Sequence, residues 1–304
     1  MSMLTLKGPR WVTVRQHRRA LWTLSAAVSA SLAAVIALRW WASYAADPYE
    51  VGAGWALREG MGHAGTAMLL LPLLVGAFTA GPVVARELES GTYRLALTQS
   101  TTPRAWLASK AVLAAAAATA GSAALVGVYR LGHAPLVGSH QFTWADRGPY
   151  ESTGTVVVAY CLLGVAVGTL VGQLVRRTLP AMAVTGLVTG VVMLVLSSLR
   201  WSILPIRTLT APVAAGPPKL STGDFMTDLG LTTGSGGRLS EGACFERTRS
   251  MSQCPADLDV TGWYLEYHPV SHYWPTQSVE TAVVLVLAAL SLWGAFAVLR
   301  KRHP

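Results

Sequence analysis

A short segment between two long apolar runs concentrates charged residues, glycine and proline. It reads Gly81-Pro82-Val-Val-Ala-Arg86-Glu87-Leu-Glu89-Ser-Gly91-Thr92-Tyr-Arg94 and continues through Pro103 and Arg104 to Lys110. Closely spaced carboxylates and guanidinium groups can form ion pairs and charge-assisted hydrogen bonds. No nucleophile, base and orienting group stand together in it, so the predicted chemistry is binding rather than catalysis.

Two further groups of residues could do chemistry. Cys244 and Cys254 lie in a segment expected on the oxidising side of a membrane, which predicts a disulfide worth up to roughly 3 kcal/mol. His268 and His272 with Asp257 and Asp259 could be drawn as a metal site, but their spacing matches no established ligand pattern, and we expect no metal. Cys161 lies inside an apolar run and is interpreted as a packing residue.

Several familiar activities have no counterpart in the chain. None of its lysines, Lys7, Lys110, Lys219 and Lys301, stands in a Walker A motif, and no HExxH motif occurs. We find no catalytic constellation and predict a non-enzymatic chain. The apolar runs contain no Asp, Glu, Lys or Arg, which weighs against an ion-coupled carrier. Arg39, Arg130 and Arg200 are expected at helix ends, where their side chains can reach the membrane interface.

The elements that carry these residues are predicted from the composition. Hydrophobic residues make up 52% of the 304 residues and charged residues 13%, and the mean hydropathy is +0.42. Six uncharged runs are long enough to span a bilayer as helices. They cover 20–38, 64–85, 111–129, 152–175, 178–199 and 281–299. The sequence therefore predicts an all-α integral membrane protein with six transmembrane helices.

The distribution of charge orients these helices. With a cytoplasmic N-terminus, Glu87 and Glu89 are the acidic residues of the inner segments. The basic residues there are Lys7, Arg10, Arg15, Arg18, Arg19, Arg86, Arg94, Arg104, Lys110, Arg176, Arg177, Arg300, Lys301 and Arg302. This bias follows the positive-inside rule and predicts a multi-pass protein of the cell (inner) membrane with both termini in the cytoplasm. The net charge of +9 is thus a topology signal, and no nucleic-acid partner is expected.

The runs divide the chain into segments. Residues 1–19 form a basic cytoplasmic or interfacial segment, and 20–199 hold helices one to five with a charged loop at 86–110. Residues 200–280 form a small extracellular domain, and 281–304 hold helix six and a basic tail. Five aromatic residues precede helix six: Trp263, Tyr264, Tyr267, Tyr273 and Trp274. They could form an interfacial belt, the core of the extracellular domain or a substrate-facing surface.

Helix four carries glycine at every fourth position, Gly164, Gly168 and Gly172. Small residues at this spacing allow helices to approach closely in lipid. The pattern fits packing within the chain and a dimer contact equally well.

The charged loop has its own local signals. Pro82 is expected to bend or end the second helix, and Gly91 to stop a short acidic helix after it. Thr102 and Pro103 are typical of an N-cap and first helical position. The segment therefore predicts a short helix at the membrane surface that presents Glu87 and Glu89, with Trp106 anchored at the interface.

In this loop the chain resembles permeases of the ABC-2 type. The shared residues are Arg-Glu-x-Glu-x-Gly-Thr at 86–92, Pro103-Arg104 and Lys110; Arg15-Gln16-His17-Arg18 and Tyr267-His-Pro-Val-Ser-His-Tyr273-Trp274-Pro275-Thr-Gln277 resemble the actinobacterial branch. Ser109 stands where a glycine is common. The resemblance implies a coupling helix that docks on a separate ATP-binding subunit. Four residues would lie in or beside this helix, Glu87, Glu89, Gly91 and Thr92, and Arg86 and Arg94 would flank it.

The resemblance also implies a function. The chain would be the permease of an ATP-driven exporter of a drug, an antibiotic or another hydrophobic compound. It would bind no cofactor itself, because ATP and magnesium belong to the ATP-binding subunit, and it would pair in membrane lipid with a second copy or a paralogue. The rival interpretation is a non-transporting immunity or sensory protein whose extracellular domain binds a ligand.

Overall fold

The computed structural model describes residues 18–44, 52–98, 102–136, 143–249 and 254–302. The basic segment 1–19 therefore lies almost wholly outside the described residues. The helices are α1 (Arg18–Ala42), α2 (Ala53–Leu74), a π-helical segment (Val75–Ala80), α3 (Gly81–Glu89), α4 (Thr92–Thr98), α5 (Pro103–His133), α6 (Arg147–Thr153), α7 (Val156–Val175), α8 (Thr178–Leu199), α9 (Ala243–Thr248) and α10 (Tyr273–Arg302). The strands are β1 (Arg207–Pro212), β2 (Phe225–Thr233), β3 (Arg238–Ser240) and β4 (Val260–His268).

Among the described residues, six helices are long and apolar enough to cross a membrane. Their bounds are Leu21–Ala42, Gly54–Glu89, Pro103–Leu136, Val156–Val175, Thr178–Ser202 and Val270–Arg302. Many of their outward side chains are large and apolar, for example Leu187 and Leu194 on α8, which are 68% and 61% exposed. Such surfaces are stable in lipid rather than water. The predicted six-span helical architecture is confirmed. Five of the spans extend beyond their uncharged runs, whereas the fourth begins at Val156, inside its run of 152–175.

The second span departs from its predicted end. Pro82 was predicted to bend or end it, but the span continues from α2 through the π-helical segment into α3 and ends at Glu89. The Gly81 N–H donates to the Gly76 carbonyl, five residues back, immediately before the proline. A π turn widens the helix locally, which accommodates a proline ring that lacks an N–H. The acidic residues therefore belong to the end of a long span and not to a separate surface helix.

The spans lie in one compact unit, which we call the membrane unit; its described part comprises 18–44, 52–98, 102–136, 147–200 and 277–302. Helix α7 forms its centre. In its most apolar window 83% of the residues are buried, against 6% in α1. A Cβ at Gly164 would lie 3.0 Å from the Pro72 carbonyl oxygen and 3.1 Å from Gly76 Cα, and one at Gly172 would lie 3.1 Å from Val84 Cβ. Gly164 and Gly172 therefore pack α7 against the second span within one chain.

A substitution at Gly164 tests this packing. We expect Gly164→Ala to lower the free energy of unfolding by about 1–3 kcal/mol, because the backbone of the second span cannot move aside cheaply. Gly127→Ala in α5 is the matched control, since nothing lies within 4 Å of its Cβ position, and alanine there should add up to about 1 kcal/mol through helix propensity. Thermal unfolding of the purified chain measures both. Equal effects of the two variants would contradict the packing role.

A second compact unit contains an antiparallel sheet. Its described part comprises 143–146, 201–249 and 254–276. The strand order among the described residues is β1-β4-β2-β3, with Leu265 of the central strand opposite both Leu209 and Leu229. The aromatic residues Trp263 and Tyr264 on β4 are buried, and Trp263 packs with Leu231 and Cys244. These two aromatics thus belong to the core of this unit.

The same unit contains the disulfide between Cys244 and Cys254 that the sequence predicts. It ties α9 to the chain that leads into β4. The four residues considered as metal ligands do not converge: His268 and His272 contact each other through Nδ1 atoms 3.2 Å apart, whereas Asp257 pairs with Arg247. In the described part of the chain, no group of three or more His, Cys, Asp or Glu side chains is placed to hold a metal ion.

Candidate functional site

The charged segment folds around one sharp change of direction. Helix α3 ends at Glu89, and Gly91 adopts a φ of 73°, a left-handed conformation that glycine accommodates without strain. Helix α4 then runs from Thr92 to Thr98. Thr102 caps α5 as the sequence predicts, because its Oγ1 accepts from the Ala105 N–H at 3.2 Å. The segment is therefore a helix end, a turn and a short helix between two spans.

Glu87 points inward from α3 to the start of α5. Its Oε1 accepts from Lys110 Nζ at 2.5 Å, and its Oε2 accepts from Trp106 Nε1 at 2.9 Å. Lys110 is 5% exposed and Glu87 is 24% exposed at the side chain, so the pair is largely screened from solvent. Paired charges with hydrogen bonds to both carboxylate oxygens are the form in which such groups are tolerated inside proteins. These hydrogen bonds fix the end of the second span to the beginning of α5, the third span.

Glu89 points to a different span. Its Oε2 accepts from the backbone N–H of Thr178 at 2.9 Å and from the Thr178 hydroxyl. Thr178 is the first residue of α8, so the carboxylate satisfies a free N–H at the positive end of that helix.

The five residues Glu87, Lys110, Trp106, Glu89 and Thr178 form what we call the loop-end network. It joins the end of the second span to the beginnings of α5 and α8. The end of α10 reaches the same place, where Leu299 packs with Val84, Trp106 and Leu107, and Arg302 Nη1 donates to the Gln173 carbonyl of α7. This end of the membrane unit is called the loop end, and the opposite end the distal end.

The outward surface of the loop end differs from the predicted one. Both glutamates of the motif bond within the chain, and Trp106 is buried under Glu87 rather than anchored at an interface. The exposed side chains of the described part of this segment include Arg86, Glu89, Thr92, Arg94, Leu95, Thr98 and Arg104. Leu95 on α4 is 66% exposed. The surface offered to a partner is thus basic with one prominent apolar side chain.

A comparison with known families adds to this geometry. A protein-family model described as ABC-2 membrane transporter related matches residues 55–200. Over these residues the chain is similar to the ABC-2 transporter-related family. No curated protein and no solved structure matches it significantly. The matched residues include the whole loop-end network and the spans from α2 to α8. Together with the six apolar helices, the match identifies a multi-pass membrane protein with a transport permease role.

A second cluster of polar residues lies at the distal end. Arg200, which follows α8, is 2% exposed, and its Nε and Nη2 donate to Glu280 Oε2 at 2.8 Å and Oε1 at 3.0 Å. Nη2 also donates to Glu151 Oε1 at 2.9 Å. The Arg200 guanidinium carbon lies 3.8 Å from the centre of the Tyr150 ring. The expectation that Arg200 reaches a membrane interface is wrong, because its charge is neutralised inside the protein.

Two tyrosines also take part. We call the five residues Arg200, Glu151, Glu280, Tyr150 and Tyr160 the distal cluster. The Tyr150 hydroxyl donates to Glu280 Oε2 at 3.1 Å and the Tyr160 hydroxyl to Glu280 Oε1 at 2.7 Å. The cluster joins α6, α7, α8 and α10. Sequence reasoning missed it because each charged residue lies one position outside an uncharged run. The available signal was that three such residues, next to 152–175, 178–199 and 281–299, fall at the same end in a six-span topology.

Proposed function

We propose that this chain is the permease subunit of an ATP-driven ABC-2 exporter and that α4 with the end of α3 is its coupling element. A separate ATP-binding subunit would bind the exposed surface formed by Arg86, Arg94 and Leu95. That subunit would hold ATP and magnesium. The loop end would then face the cytoplasm, and the sheet-containing unit would lie outside the cell.

The observation that carries this proposal is the loop-end network. A force applied to α4 acts next to Glu87 and Glu89, and their hydrogen bonds connect it to α5 and α8 as well as to the second span. Three spans can therefore move as one body when a bound partner changes shape. A solvated loop that served only topology would need none of these bonds.

The proposed cargo is a drug, an antibiotic or another hydrophobic compound. An apolar cavity of about 150 Å³ lies between α1, the second span and α5, with Lys110 among its lining residues. Most of its lining is leucine, valine and alanine, including Leu21, Leu71 and Leu113. Such a wall favours an apolar ligand over an ion. A second six-span chain, either a copy or a paralogue, would complete the pathway.

Variants of the exposed surface test the docking site. We expect Leu95→Asp combined with Arg94→Glu to lower co-purification of the ATP-binding subunit by tenfold or more, because an apolar contact and a complementary charge are lost together. The measurement is affinity purification of the tagged chain in mild detergent, followed by quantification of any stoichiometric Walker-motif protein.

Lys219→Glu is the matched control, since Lys219 is an exposed basic residue of the sheet-containing unit. It should leave the recovered complex unchanged. Recovery of the permease alone from several detergents would favour the immunity or sensory interpretation. Full recovery of the ATP-binding subunit with the double variant would keep an ABC exporter but remove α4 as its docking site.

A further inference from the structure

The distal cluster contains one more carboxylate than it has cations. Arg200, Glu151 and Glu280 are 2%, 3% and 2% exposed. If both carboxyl groups were ionised, the cluster would hold a net negative charge away from solvent. A buried unpaired charge costs several kcal/mol, and groups in that situation usually change protonation instead.

Hydrogen bonds distinguish the two carboxyl groups. Each carboxylate oxygen of Glu280 accepts one hydrogen bond from Arg200 and one from a tyrosine hydroxyl, which makes four in all. Four donors on one carboxyl group stabilise its ionised form strongly. Glu280 is therefore the anion that pairs with Arg200 in a two-pronged contact.

Glu151 has a different environment. Its Oε1 accepts from Arg200 Nη2, which also donates to Glu280 Oε1, and its Oε2 is buried without a hydrogen-bond partner among the described residues. An ionised oxygen in that position would lose its hydration and gain nothing in return. A proton on Glu151 removes the excess charge of the cluster.

We propose that Glu151 is a proton-binding site: its carboxyl group holds a proton in the closed distal cluster and loses it when the cluster opens to water. Opening means separation of α6 from the ends of α8 and α10, which the cluster joins. Hydrated glutamate is ionised at neutral pH. Each opening would therefore release one proton at the distal end. This inference stands independently of the ATP-driven mechanism.

The charged groups around Glu151 agree with this assignment. Burial raises the pKa of Glu151, and the negative charge of Glu280 acts in the same direction, while Arg200 and, more weakly, Arg147 oppose them. On the neighbouring elements, Arg130 of α5 is exposed and donates to the Thr153 carbonyl. Arg58 of α2 is half-buried. The other charged groups of α2, Glu59 and His63, are exposed and pair with each other at 3.3 Å.

The direction of the pH effect follows from the raised pKa. The protonated group contributes stability fully below the pKa of an unfolded glutamate, near 4.3. That contribution is lost as the pH rises through the higher folded-state pKa. Between these two pKa values, the unfolding equilibrium constant should rise by up to about tenfold per pH unit for one proton released, and above the folded-state pKa it should level off.

The test uses the full chain in lipid nanodiscs. Infrared spectra at neutral pH in H₂O and D₂O should show the C=O stretch of a protonated carboxyl group, and Glu151→Gln should remove it. The melting temperature of the wild type should fall as the pH rises from about 5 to the pKa of Glu151 in the folded state, and Glu151→Gln should flatten this slope. Glu59→Gln is the control, because that carboxyl group is exposed, and it should keep both the band and the slope.

Several results would overturn the proposal. A wild-type spectrum without a protonated carboxyl band contradicts it directly and requires no variant to fold. A band that persists in Glu151→Gln assigns the proton to another residue. An unchanged slope of the melting temperature with pH in Glu151→Gln shows that opening of the cluster is not linked to this group.

Discussion

Replacing Arg200 by methionine is expected to lower the free energy of unfolding of the membrane unit by about 3–5 kcal/mol. The change leaves the Glu280 carboxylate buried without its cation, since Arg200 supplies two of its four hydrogen bonds. It also removes the guanidinium from the Tyr150 ring. The loss of one partner of a buried ion pair costs far more than the pair contributes against an apolar replacement, because the remaining charge has no water around it.

Thermal or denaturant-induced unfolding of the purified chain measures this effect. Arg39→Met is the matched control: Arg39 is exposed and donates one hydrogen bond to the Leu131 carbonyl, so its loss should cost at most about 1 kcal/mol. Adding Glu280→Gln to Arg200→Met should recover part of the stability, because no buried anion remains. A loss no greater than that of the control would show that the distal cluster does not stabilise the fold.

Replacing Glu87 by lysine is the second change with a large expected effect. Two ammonium groups would then meet at the loop end, one of them on Lys110, which is 5% exposed. We expect a loss of about 3 kcal/mol of stability from the broken pair and the added repulsion. Export in a reconstituted system should stop, because the bonds from the second span to α5 are gone while α4 keeps its exposed surface.

Three further variants separate the contributions at this site. Glu87→Gln keeps an acceptor for Trp106 Nε1 but loses the charge, so it should cost about 1–3 kcal/mol. The exchange of Glu87→Lys with Lys110→Glu should recover only part of the stability, because a lysine at 87 cannot accept from Trp106. Glu59→Lys, at an exposed carboxyl group, should stay within about 0.5 kcal/mol of the wild type. Full recovery by the exchange would mean that Trp106 contributes nothing.

The two networks lie at opposite ends of the same spans. At the loop end, Glu89 bonds to Thr178, the first residue of α8; at the distal end, Arg200 directly follows the last residue of α8. Helix α8 is therefore held by polar contacts at both ends, while glycine contacts pack α7 against the second span. A displacement of α4 that moved α8 along its axis would act on Arg200 directly. This arrangement gives a route by which an event at one end could affect the other.

The local features of this protein followed from the sequence. Six spans, the Thr102 cap, the turn at Gly91 and the pairing of Cys244 with Cys254 each depend on residues close together in the chain. A helix in lipid satisfies its backbone within its own segment, so length and hydropathy are sufficient to predict it. The loop motif also indicated the family, which the match over 55–200 supports.

The destinations of the charged side chains required the tertiary structure. Glu87 and Glu89 were expected to face outward, yet their partners lie 23 and 89 residues away in the chain. Arg200 was expected at an interface, yet it pairs with residues 49 and 80 positions away. Likewise, the glycines of α7 fitted two kinds of contact until the second span was placed against them. Hydropathy determines whether a segment leaves water. The partner of a charged side chain depends instead on which helix ends meet, and the packing of all six spans together decides that.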